Sequence, residues 1–169
     1  MMRPVVVLNA SYEPLTTVSL NRAVLFLVKE RAVVVEAVEG ATIRSVDREI
    51  PLPKVVRLVK YVRVSYMHRP RAWSRRGVLE RDAALGCIYC GSKKDPTVEH
   101  IQPISRGGDP RGWMNTAVAC NMCNNRKGHQ TLAEWGRPLR YKPRVVTERD
   151  TLVLAVAKAG VDPVAYGLA

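Results

Sequence analysis

Cys87-Ile88-Tyr89-Cys90 and Cys120-Asn121-Met122-Cys123 frame a run that reads Thr97-Val98-Glu99-His100-Ile101-Gln102-Pro103-Ile104-Ser105-Arg106-Gly107-Gly108, then Trp113-Met114-Asn115. The second pair continues into Asn124-Asn125-Arg126-Lys127. All four cysteines of the chain stand in these two pairs, and none is left over. A two-residue gap lets both thiolates of a tight turn face one ion, so two such pairs read as a tetrahedral zinc site. A redox dithiol would explain one pair and needs a different strand-helix-strand context. The 29 residues between the pairs exceed the gap of about 15 to 20 in a simple zinc ribbon, so something further is built between the two knuckles.

Local signals fill that gap. Thr97 to Ile101 reads as a strand that Pro103 ends, Ser105 to Pro110 as a loop, and Asn115 to Ala119 as a return strand. A helix should open at the second knuckle and stop at Gly128, and Thr131-Leu-Ala-Glu134 is a capping box for the next. Upstream, Val78 to Leu85 reads as a short helix. The first 66 residues mix β-branched runs with one helix: Val5 to Leu8, a helix from Leu20 to Arg31 capped by Ser19, a strand from Val33 to Val38, a turn at Gly40, and further strands at Ala41 to Arg44, Arg48 to Leu52 and Lys54 to Val64. Thr147 with Asp150 caps a last helix that Gly160 and Pro163 end.

The chain has 169 residues, 27 of them Lys or Arg and 15 Asp or Glu, a formal net charge of +12. That surplus favours a polyanion, nucleic acid or an anionic membrane face, because phosphate contacts release counterions. Its densest stretch, Lys54 to Arg81, interleaves Arg75, Arg76 and seven other basic residues with Tyr61, Tyr66 and Trp73, a pattern that suits phosphates and bases as well as a solvated face. No apolar run reaches the roughly 18 residues needed to cross a bilayer, and the N-terminus lacks a signal-peptide core, so a cytoplasmic protein is expected.

The order of residues between and after the knuckles resembles the HNH endonuclease family, whose ββα-metal motif runs cysteine pair, acid-His, Pro, Gly-Gly, Asn, cysteine pair, His or Asn, and Lys. The resemblance covers residues 87 to about 137, and Arg81-Asp82 and the N-terminal region also resemble stand-alone bacterial members. It implies an α+β protein: a zinc-stapled ββα-metal (HNH) domain at 87–143, preceded by a small α/β region at 1–66 and a basic connector at 67–86, and followed by a helix at 144–169. The implied activity is metal-dependent hydrolysis of DNA, with 5′-phosphate and 3′-hydroxyl ends. His100 is then the general base, and Asn115 holds the loop that orients it. Glu99 and Asn124 are oxygen ligands that suit a hard ion such as Mg²⁺ or Mn²⁺. Cys87, Cys90, Cys120 and Cys123 hold structural Zn²⁺. Arg106, Arg126 and Lys127 meet DNA phosphates, with Arg75 and Arg76 from the connector.

Two features depart from a simple reading. The family more often has Asp where this chain has Glu99, and adjacent strand residues face opposite ways, so a bulge or the strand end must bring Glu99 and His100 to one ion. Asn121 and Asn125 compete with Asn124 for the ligand role. His129 reads as an inter-helix loop residue, His68 as part of the connector, and Trp113 and Trp135 as packing. The rival from another class is a zinc-ribbon DNA-binding module with a silent HNH remnant, and an RNA-directed protein is the third reading. One such site cuts one strand at a time, so a double-strand break needs a homodimer or two visits.

Overall fold

Residues 4–44, 49–65 and 67–168 are described in the computed structural model. In chain order the elements are β1 (Val5–Leu8), β2 (Pro14–Val18), α1 (Leu20–Val28), β3 (Ala32–Arg44), β4 (Glu49–Leu58), α2 (Arg75–Asp82), β5 (Pro96–His100), β6 (Thr116–Cys120), α3 (Asn121–Lys127), α4 (Leu132–Trp135) and α5 (Glu148–Lys158). They form two units, Met1–Arg69 with Thr147–Ala169, and Pro70–Val146.

Val-Val-Val-Leu in β1, three β-branched residues and a leucine, is uncharged and buried throughout, as suits an inner strand covered on both faces. Four strands run in the order β2-β1-β4-β3, with β1 and β4 parallel and the other pairs antiparallel. The period of two then sorts β1 between two cores. Val5 and Val7 meet Ala23, Leu20 and Phe26 of α1 on one face. Val6 and Leu8 meet Leu152, Val156 and Ala159 on the other, so the C-terminal helix expected as a separate segment is the second cover of the N-terminal sheet. Full burial of a side chain such as Leu152 contributes about 1.5–3 kcal/mol.

Several local expectations give way here. Gly40 does not turn the chain: it lies within β3 at φ +68°, where the β3–β4 register jumps between Ala37 and Thr42. The cause lies across the ladder, where Pro51 and Pro53 of β4 offer no N–H and the facing strand bulges past them. The strand expected to reach Val64 stops at Leu58, and the chain beyond it is tied down by the buried Asn9, whose side chain exchanges two hydrogen bonds with the backbone of Val62 (2.8 and 2.9 Å). Helix α1 stops at Val28, short of Arg31, where Glu30 takes a left-handed conformation (φ +52°). Ser19 precedes α1 but makes no capping bond. The start expected at Arg48 and the aromatic Tyr66 lie outside the described residues.

The second unit is built on an antiparallel hairpin, β5 with β6, in unbroken register from Pro96↔Cys120 to His100↔Thr116. Helix α2, capped by the Ser74 hydroxyl on Gly77 N–H, packs on one face with Trp113, Val118 and Val146. Cys87, Ile88, Tyr89, Ala117 and Ala119 fill the other face beneath α3 and α4, and Trp135 meets Tyr89 edge-on at 6.0 Å. Arg81 and Asp82 form a buried bidentate pair with side chains 2% exposed. Arg81 also donates to the carbonyls of Trp113, Thr116 and Arg144, and Asp82 accepts from Val118 N–H at 3.0 Å. Truncating Asp82 leaves a buried guanidinium without its charge partner. Asp82→Ala should therefore cost about 3–5 kcal/mol, read as a lowered midpoint in urea unfolding.

Candidate active site and metal centre

The first knuckle is a turn closed by its own backbone. Gly91 N–H bonds to Cys87 O and Cys87 N–H to Ser92 O, both at 2.8 Å. Gly86 sits at φ +73°, and a Cβ there would fall 2.5 Å from Gly91 O, so only glycine fits. The second pair uses a different device: Cys120 ends β6 and Cys123 lies in the first turn of α3. The four sulfurs come within 4.8 Å of one another, with Cys90 exposed and the other three buried.

A tetrahedral ion with Zn–S bonds of about 2.3 Å needs sulfurs about 3.8 Å apart. Cys90 Sγ and Cys120 Sγ are separated by 3.8 Å, and soft thiolates alone make up the set, so the residues fit zinc. Burial, reinforced by the neighbouring thiols of Cys120 and Cys90, pushes the Cys123 thiol up to about 12. Burial acts the same way on Cys87, but hydrogen bonds from the backbone of Cys120, Cys90 and Tyr89 outweigh it and bring that thiol down to about 7. Zinc must displace protons from such a set, so its hold weakens as pH falls.

His100 closes β5. Its ring Nε2 lies 3.1 Å from Pro110 O. A carbonyl only accepts, so in the neutral ring this contact places the proton on Nε2 and the lone pair on Nδ1. That loop is held from within by one side chain. Asn115 Oδ1 accepts from Gln102 N–H (2.9 Å), while its Nδ2 donates to Gln102 O (3.1 Å) and Asp109 O (2.9 Å). Gly108 packs so closely that a Cβ would lie 1.9 Å from Gln102 O and 2.9 Å from Asn115 Nδ2.

Glu99 and His100 do not converge. The β5 register is regular through both, no bulge intervenes, and they face opposite sides of the hairpin. Glu99 is 3% exposed, and its Oε1 accepts from Lys127 Nζ at 2.6 Å and Tyr89 OH at 3.3 Å. Burial first, and then the Glu99 charge, hold the Tyr89 phenol protonated far above its ordinary range. Glu99 in this pairing does not fit an oxygen ligand of Mg²⁺ or Mn²⁺, because the charge that would draw the ion is already neutralised by an ammonium. Asn124 turns its amide N–H₂ to Thr97 Oγ1 (2.7 Å) and Val98 O (3.5 Å).

Lys127, expected at DNA phosphates, is 1% exposed and points inward to Glu99, so it cannot meet a phosphate. Arg75, Arg76, Arg106 and Arg126 are exposed. Arg76 pairs with Glu80 at 3.1 Å and Arg106 lies 3.8 Å from Glu134, contacts that solvent makes weak and easily exchanged. His129, read as an inter-helix loop residue, lies between α3 and α4, and its Nδ1 is 3.4 Å from Ser105 Oγ beside the loop that follows His100. His68 belongs to the other unit, Trp113 is buried, and Trp135 is half-buried.

Among the described residues no helix is long and apolar enough to cross a membrane. Residues 87–130 match the model of the HNH endonuclease family, and residues 5–66 match that of the HNH endonuclease-associated, N-terminal domain. No curated protein and no solved structure gives a significant match.

Proposed function

We propose that this chain, which carries an HNH endonuclease domain at residues 87–130 behind the N-terminal domain associated with it, hydrolyses DNA phosphodiester bonds in the cytoplasm with His100 as general base. One observation carries the reading: the His100 ring is pinned through Nε2 to a backbone carbonyl, which leaves Nδ1 as the atom able to take a proton. Nδ1 removes a proton from water as its oxygen attacks phosphorus. The bond to the 3′ oxygen breaks and that oxygen takes a proton from solvent water, leaving 5′-phosphate and 3′-hydroxyl ends. Asn115 acts one step removed, by closing the loop whose Pro110 carbonyl holds the ring. Exposed Arg75, Arg76, Arg106 and Arg126, in a chain of net charge +12, supply phosphate contacts that carry affinity without reading sequence.

The test is conversion of supercoiled plasmid to nicked or linear forms by protein that keeps its zinc, with Mg²⁺ or Mn²⁺ added, beside a matched RNA. Cutting of DNA, and not of the RNA, is the expected result. Binding without cutting under either ion would give the lead to a zinc module with a silent site, a reading that the engaged Glu99 carboxylate favours. Asn115→Ala should lower the cleavage rate about 100-fold with DNA affinity unchanged, since an ångström of misplacement of the base is enough for that loss. Single-turnover kinetics beside a DNA-binding isotherm checks it.

A further inference from the structure

Lys127 is the last residue of α3, its side chain has no exposure, and it reaches across to β5. There its ammonium makes two contacts at once: Glu99 Oε1 at 2.6 Å and the backbone carbonyl of His100 at 3.0 Å. The two acceptors belong to consecutive residues of one strand whose side chains face opposite ways. One side chain from the helix therefore grips the carboxylate that points toward it and the carbonyl of the residue whose imidazole points away. His100 is thereby held at two places, its ring by Pro110 O from the loop and its backbone by Lys127 from the helix.

Stability alone gives little reason for such a contact. A buried ion pair contributes little, or less than nothing, against apolar residues of the same volume, because both charges lose their water. What it does impose is geometry, since an ammonium with two fixed acceptors has few other positions. The position it fixes is the strand residue that carries the proposed base.

We infer that Lys127 is a positioning residue for His100, with Glu99 as its counter-ion and neither in contact with DNA or a catalytic ion. This rests on the reading of His100 as the base. Lys127→Met, Glu99→Gln and the double variant test it. Lys127→Met strands a buried carboxylate and can fail to fold; the double variant carries no buried charge at either position and keeps the test open. The rate of single-turnover DNA cleavage should fall about 100-fold in each folded variant. DNA affinity and its salt dependence should stay as in the parent, because no phosphate contact is lost. Effects of residues acting as one unit do not add, so the double variant should be no slower than the worse single one.

The ring signals of His100 in a proton–carbon NMR spectrum supply a readout that does not need cutting. The chain has three histidines, and His100→Ala assigns the one in question. Those signals should move in all folded variants while His68 and His129 keep theirs. If they stay put and cleavage is unchanged, the positioning role is overturned. If Lys127→Met instead weakens DNA binding and flattens its salt dependence, Lys127 is a phosphate contact and the inference falls. If Glu99→Gln alone raises the Mn²⁺ concentration needed for cleavage and weakens Mn²⁺ binding in electron paramagnetic resonance, Glu99 is an ion ligand and the inference falls. A parent protein that never cuts DNA would overturn the nuclease reading, while the NMR comparison would still report whether Lys127 sets the ring.

Discussion

His100→Ala is expected to abolish plasmid conversion, with the cleavage rate down by about 10² to 10⁴-fold, the range that one general base supplies. Zinc content, the thermal transition and DNA affinity should match the parent, because the ring is half-exposed and makes one hydrogen bond, to a loop that Asn115 holds independently. Free imidazole should restore part of the rate in this variant, since it can occupy the vacated space and take the proton. A His100→Ala protein that cuts as fast as the parent would remove His100 from the chemistry.

Loss of the metal should be larger still in free energy. A structural zinc on thiolates contributes of the order of 10 kcal/mol to folding, about the whole stability of a small domain. Chelation, or Cys123→Ser, should unfold the unit spanning Pro70–Val146, as seen by loss of near-ultraviolet circular dichroism from Trp73, Trp113 and Trp135. The unit built on the four-stranded sheet holds none of the four cysteines, and its two cores are valine, leucine and alanine. It should keep a cooperative transition of its own. A single transition that disappears whole on chelation would contradict this.

What the sequence made legible was mostly local. The knuckle spacing led to the four-sulfur cluster, and Thr131 with Glu134 and Thr147 with Asp150 are capping boxes in the structure as expected. The hairpin strands fall within a residue of their expected bounds because Pro96, Pro103 and the cysteines punctuate them. What stayed hidden depends on residues far apart along the chain. Lys127 reads as a contact for DNA phosphate until Glu99 is seen opposite it. Gly40 reads as a turn until the prolines across the ladder show why a strand bulges there. The apolar stripe of Leu152, Val156 and Ala159 says that α5 covers something, but nothing in its own residues says that the surface lies at the other end of the chain. Glu99 next to His100 raised the problem of alternation, and the strand resolved it by leaving the two apart.

The sheet that receives α5 is synthesised first and covered last. Val6, Leu8 and Val55 leave the ribosome well before Leu152 and Val156, with the whole of Pro70–Val146 in between. At roughly 5 to 20 residues per second, that interval leaves one side of the nascent sheet bare for seconds, on the order of ten. The unit that carries the four cysteines is complete within that interval and can fold while its host is still unfinished. A message cut off at the start of the α5 codons would therefore release a chain with the four-cysteine unit complete and an adhesive β-surface, a natural client for chaperones and proteases.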